Sequence, residues 1–215
     1  MALIKALENG FKVVSLVSIQ PLYDYSMLYH RPLFSAVSLQ AYSLGIPLES
    51  ISVANENMEK DALEKILERV KARYGITHVV TGGIGSRFQK RSFEEISRKI
   101  GLETYSPLWG LNQEEYLYML LDSGIKFMII SITTMGLPHR LLGKVLDRED
   151  VDTIIRFSRK YGFNPSFEGG EAETFVVDMP LFKYALRVEG APRILSEYEA
   201  HFEIRKISLC RKTSS

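Results

Sequence analysis

Cysteine is nearly absent: Cys210 is the only one in 215 residues. A lone thiol excludes an internal disulfide and a cysteine-based zinc site, and it fits a reducing compartment. A dominant charge is missing too, since 27 Lys and Arg stand against 26 Asp and Glu, a net charge of +1. That balance gives no support to a general nucleic-acid or membrane-surface binder. No apolar run approaches the roughly 20 residues that span a bilayer. Residues 1–5 lack the apolar core and cleavage site of a signal peptide. The expectation is a cytoplasmic protein with no membrane partner and no direct nucleic-acid binding. His30 has no second His or Cys at ligand spacing, and His139 and His201 have no partner in sequence, so no metal ligand is assigned. Walker, Rossmann and nucleophile-elbow patterns are all missing.

What is present is an ordinary globular composition, 46% hydrophobic and 25% charged, enough for one large domain or two small ones. Helix formers over 2–9 end at Gly10, and a β-rich run over 12–19 follows. Residues 33–44 read as a helix closed by Gly45, and 48–53 as a strand. Asn57 is placed to cap an amphipathic helix through Tyr74, with Ala62, Ile66 and Val70 on one face and Gly75 at its end. A short strand over 78–81 stops at a glycine turn, and a helix is expected over 92–100. A strand over 103–105, a helix from an Asn112–Glu115 capping pair to Ser123, and an apolar strand over 127–133 complete the alternation. Alternating strands and helices predict an α/β fold with a parallel sheet. After residue 131 a helix over 149–161, with Asp147 as its cap, gives way to consecutive strands, which predicts a smaller α+β subdomain. The expected domains are therefore 1–130 and 131–215.

Two loops carry chemistry. Gly82-Gly83-Ile84-Gly85-Ser86-Arg87-Phe88-Gln89-Lys90-Arg91 follows a strand, the place where α/β sheets bind ligands. Its glycines, hydroxyl and cations suit an anion or nucleotide, and equally a tight turn with a solvated basic helix start. Trp109 serves equally as a ligand-facing or a core aromatic. Glu168-Gly169-Gly170-Glu171-Ala172-Glu173-Thr174 sets three carboxylates around a Gly-Gly step. Glycine lets the backbone turn tightly or approach a ligand, and the carboxylates can accept hydrogen bonds or hold a cation.

Together with Tyr105-Ser106-Pro107-Leu108-Trp109-Gly110, and with the run on to Asp178-Met179-Pro180, these stretches resemble the diphthine–ammonia ligases. This is the diphthamide synthetase group of N-type ATP pyrophosphatases. The resemblance covers nearly the whole chain, in order. It implies a HUP-like nucleotide-binding domain followed by the α+β subdomain, with ATP and Mg²⁺ as cofactors. It implies amidation of the diphthine carboxylate on translation elongation factor 2 by ammonium, through an acyl-adenylate, with AMP and pyrophosphate released. On the nucleotide side it implies Gly82, Gly85, Ser86, Gln89 and Arg91, with Met27 and His30 near the adenosine. On the acceptor side it implies Glu168, Gly169, Gly170 and Thr174 for substrate, with Glu171 or Glu173 handling ammonium. The family's domain opens with a strand and a Ser-Gly-Gly-x-Asp-Ser loop. Here Met1 stands inside the helix that follows, so the expectation places both features upstream. Two other readings stay open: another pyrophosphatase-loop enzyme acting on tRNA or a small carboxylate, and a nucleotide-binding protein inactive for want of that loop.

Overall fold

Parallel strands cannot be joined by a tight turn, so each pair needs a crossover, commonly a helix. The computed structural model, which describes residues 1–23 and 34–212, shows this arrangement in the first of two compact units, Met1–Gly110 and Leu111–Ser215. The first unit runs α1 (Ala2–Glu8), β1 (Leu16–Pro21), α2 (Phe34–Leu44), β2 (Leu48–Val53), α3 (Glu59–Tyr74), β3 (His78–Val80), α4 (Arg87–Lys99) and β4 (Glu103–Tyr105). β1 pairs with β2 in parallel, from Leu16 opposite Leu48 to Pro21 opposite Val53. β3 and β4 form a second parallel pair. The apolar stripe of α3, Ala62, Leu63, Ile66, Leu67 and Val70, is buried with Ile19, Val53, Ile96 and Leu102. This is the helical spacing that aims one face at a core. Gly75 then ends α3 in the left-handed conformation, φ 64°, where a side chain would be strained.

Two local expectations are revised. Asn57 does not cap α3: it lies in a 3₁₀ turn, Glu56–Met58, and Met58 precedes the helix with no side-chain cap. α4 starts at Arg87 and not near residue 92, because Ser86 caps it, its Oγ accepting from the Gln89 N–H at 3.4 Å.

The second unit runs α5 (Gln113–Asp122), β5 (Lys126–Ile132), α6 (Arg148–Tyr161), β6 (Ala172–Asp178), β7 (Tyr184–Ile194) and β8 (Ala200–Arg211). Asn112 Oδ1 caps α5, accepting from the N–H groups of Glu114 and Glu115. Asp147 and Asp150 form a reciprocal capping box at α6. The four strands make an antiparallel sheet in the order β6-β5-β8-β7. The apolar run of β5 thus joins this sheet and pairs with neither parallel strand pair. The shift from alternation to consecutive strands falls inside the second unit. Ile129, Ile132, Leu141, Val151 and Ile154 are fully buried. No helix among the described residues is long and apolar enough to cross a membrane.

Candidate functional site

In the first unit, the glycine turn after β3 is tied to the turn after β4. The Thr81 N–H donates to Tyr105 O at 3.0 Å, the Thr81 and Ser106 hydroxyls lie 2.8 Å apart, and the Gly110 N–H donates to Ile84 O at 2.9 Å. Gly82, Gly85 and Arg91 are exposed, while Ser86 and Gln89 are half-buried. Because α4 begins at Arg87, Gln89 and Arg91 sit in its first two turns, where the helix dipole favours anions. A Cβ built on Gly82 or Gly83 would meet nothing nearer than 3.7 Å, and neither has a positive φ. A methyl group would therefore fit at either glycine in ordinary van der Waals contact. Lys90 is drawn over the Trp109 ring, 4.5 Å from its centroid, so Trp109 packs against a cation. Met27 and His30 lie outside the described residues.

In the second unit, the acidic Gly-Gly loop is held at several points. Phe167 is the one non-glycine residue among those described with a positive φ, 63°, and its side chain is buried. Gly170 has φ 84°. Glu171 folds back on its own loop: Oε1 accepts from the Asn164 N–H at 3.0 Å and Oε2 from the Gly169 N–H at 2.8 Å. A Cβ on Gly169 would lie 2.6 Å from Glu171 Oε1, so this grip requires glycine there. Thr133, just past β5, closes the other side. Its N–H donates to Glu171 O at 2.8 Å and its hydroxyl to Gly170 O at 2.5 Å.

The remaining loop residues differ from Glu171. Glu173 is half-buried on β6 opposite Ser131, and among the described residues its carboxylate has no hydrogen bond or ion pair. Thr174 is exposed, opposite Ile129. Glu168 is half-buried and acts on Tyr116, whose phenol is pushed up to about 12, first by burial and then by the Glu168 charge.

Strand register extends this site in a direction that sequence reasoning missed. Glu173 faces Ser131, Ser131 faces His201, and His201 faces Arg193, one residue from each strand of the sheet. Ser131 Oγ lies 3.0 Å from His201 Nδ1, and His201 Nε2 lies 3.3 Å from Glu199 Oε1. The alternation in β8 puts His201 and Glu203 on one face, but only the strand order brings Ser131 beside them. Among the described residues no group of three or more His, Cys, Asp or Glu side chains is placed to hold a metal. Mg²⁺ needs no such cage, because it keeps several waters and is held by one or two carboxylates together with the substrate phosphates. An open groove of about 610 Å³ between α5 and α6 contains none of the expected site residues, and within it Arg159 is paired with Glu114.

Comparison with known proteins follows the same division. The diphthamide synthase N-terminal domain matches residues 1–104, and the diphthamide synthase C-terminal domain matches residues 112–210. The chain belongs to the diphthamide synthase family. A Homo sapiens relative named diphthine–ammonia ligase is 28% identical over 218 residues, covering 92% of this chain and 81% of the relative. The Mus musculus protein of that name is 27% identical over 229 residues, covering 97% and 85%. The Schizosaccharomyces pombe one is 30% identical over 198 residues, covering 84% of this chain and 32% of its own. Within the family's terms, the 82–91 loop belongs to the N-terminal domain and the 167–174 loop to the C-terminal domain.

Proposed function

We propose that this chain is an ATP-dependent diphthine–ammonia ligase. It adenylates the diphthine carboxylate of translation elongation factor 2, releasing pyrophosphate, and ammonia then displaces AMP to give the amide. The observation that carries this reading is the match of both family domains, in order, together with relatives named for that reaction. A carboxylate is a poor electrophile, and an acyl-adenylate supplies the leaving group it lacks. The protein's work is then to position the partners and offset phosphate charge.

We assign the phosphates to the exposed backbone at Gly82 and Gly85, to Ser86 and Gln89 at the start of α4, and to the Arg91 guanidinium. Met27 and His30 are assigned to the adenosine. Mg²⁺, when bound with the nucleotide, supplies further charge neutralisation. Glu168, Gly169, Gly170 and Thr174 are assigned to the acceptor. Between the two candidate carboxylates, we assign ammonium to Glu173 and a positioning role to Glu171. Both oxygens of Glu171 are engaged by loop N–H groups, whereas Glu173 has no hydrogen bond or ion pair among the described residues, which supports that division.

The test is product release by the full chain with ATP, ammonium and diphthine-bearing elongation factor 2. AMP and pyrophosphate should appear only when all three are present. Release of ADP, or turnover with tRNA alone, would overturn the reading.

A further inference from the structure

We propose that Ser131, His201 and Glu199 form a proton relay that turns ammonium into ammonia beside Glu173. The inference rests on the reading above in taking ammonium as the nitrogen source. An ionised carboxylate only accepts hydrogen bonds, so Glu199 Oε1 facing His201 Nε2 at 3.3 Å calls for the proton on Nε2. That tautomer leaves the Nδ1 lone pair towards Ser131 Oγ at 3.0 Å, and the hydroxyl donates to it. The lone pairs of Ser131 Oγ are then free to accept from a third group. Directly opposed residues in an antiparallel pair have Cβ atoms about 4.5–5.5 Å apart. Glu173 and Ser131 are such partners, next to a register shift between Ile129 and Ser131 of the kind that re-aims side chains, and a small cation with several N–H donors can bridge the two. Ser131 is buried at 9% exposure and Glu173 is half-buried, so the cation would enter from solvent past Glu173 and meet the hydroxyl on its inner side.

The step balances. One ammonium N–H proton passes to Ser131 Oγ as the Ser131 hydroxyl proton passes to His201 Nδ1. The electron pair of the broken N–H bond stays on nitrogen and becomes the nucleophile. Glu199 stabilises the imidazolium, and His201, with 41% of its side chain exposed, returns the proton to solvent. The charged groups around the imidazole are Glu173 from β6, Arg193 from β7, Glu203 on β8 and Glu199 from the turn before it. Arg193, whose charge would oppose the imidazolium, is paired with Glu203 at 3.0 Å.

Two measurements test this in the full chain. Nitrogen NMR of ring-labelled histidine should show His201 protonated on Nε2. Ammonium chloride, against sodium chloride of equal strength, should shift its Nδ1 resonance, and Ser131→Ala or Glu173→Gln should abolish that shift. The opposite tautomer, or no ammonium-specific shift, would overturn the relay whether or not the chain turns over. In the ligase assay, His201→Gln should lower ammonium-dependent turnover about a hundredfold near neutral pH, the lower range for acid–base assistance. The loss should shrink as rising pH delivers free ammonia, and should vanish with hydroxylamine, which is already neutral. Equal loss with both nucleophiles would mark His201 as structural and overturn the relay. If wild type releases no AMP with either nucleophile, the ligase reading fails by itself, and the NMR result still decides the ammonium site.

Discussion

The loop after β3 and the loop before β6 both carry a Gly-Gly step, and they use it in opposite ways. Gly82 and Gly83 have no positive φ, and a Cβ added to either would meet only an ordinary contact, Ala2 Cβ at 3.7 Å or Gln89 Oε1 at 3.8 Å. Gly170 turns through φ 84°, and Gly169 lies where a side chain would strike Glu171. The fold of the first loop tolerates a side chain at its glycines, while in the second loop glycine lets the chain grasp its own carboxylate. A residue that leaves room for a ligand and one that holds the backbone should respond differently to the same substitution.

The largest expected effect falls on the one loop carboxylate that the fold does not use. Glu173→Gln should cut ammonium-dependent turnover by about a hundredfold or more while leaving the denaturation midpoint unchanged. A matching fall in stability would put Glu173 in the same class as Glu171. Next is Glu171→Ala, which strips the Asn164 and Gly169 N–H groups of their acceptor and should cost about 1–3 kcal/mol, read by urea denaturation. No loss would mean that Thr133 and Phe167 hold the loop without it.

Tyr116 sharpens the comparison through pH. Its folded pKa, raised to about 12 from 10.0, lies above the unfolded value. The resulting stability is fully present below pH 10 and is lost as pH rises towards 12. The loss should be on the order of 2–3 kcal/mol, and Tyr116→Phe should flatten the profile over that window. The smallest effect on folding belongs to the first loop. Gly82→Ala should shift stability by less than about 0.5 kcal/mol, as expected where a substitution disturbs no contact, yet weaken ATP binding measured by calorimetry. Unchanged affinity would remove the open backbone from the nucleotide site.

Much of the first unit was readable because its signals are local. The α3 stripe and Gly75 specify one helix and its end with no help from distant residues. Ser86 was passed over as a cap because the glycine turn was carried on to Arg91 and the helix placed from residue 92, while Asn57 read as a cap although the chain spends it in a 3₁₀ turn. An apolar run such as β5 shows burial but not its pairing partner. The same limit hid the Ser131–His201 contact, whose residues stand 70 apart and meet only through the strand order. The choice between Glu171 and Glu173 was equally invisible, since it depends on which carboxylate the folded loop occupies.

The strand order has one more consequence. β8 lies between β5 and β7, and among the described residues β7 pairs with no other strand. A ribosome delivers β5, β6 and β7 before β8, so a nascent second unit holds an open β5 edge and an unpaired β7 strand. Such edges are templates for wrong pairing. In the first unit each strand pairs with the next one made, β1 with β2 and β3 with β4. The second is sealed by the same strand that brings His201 to Ser131, so completion of its fold and assembly of that contact are a single event.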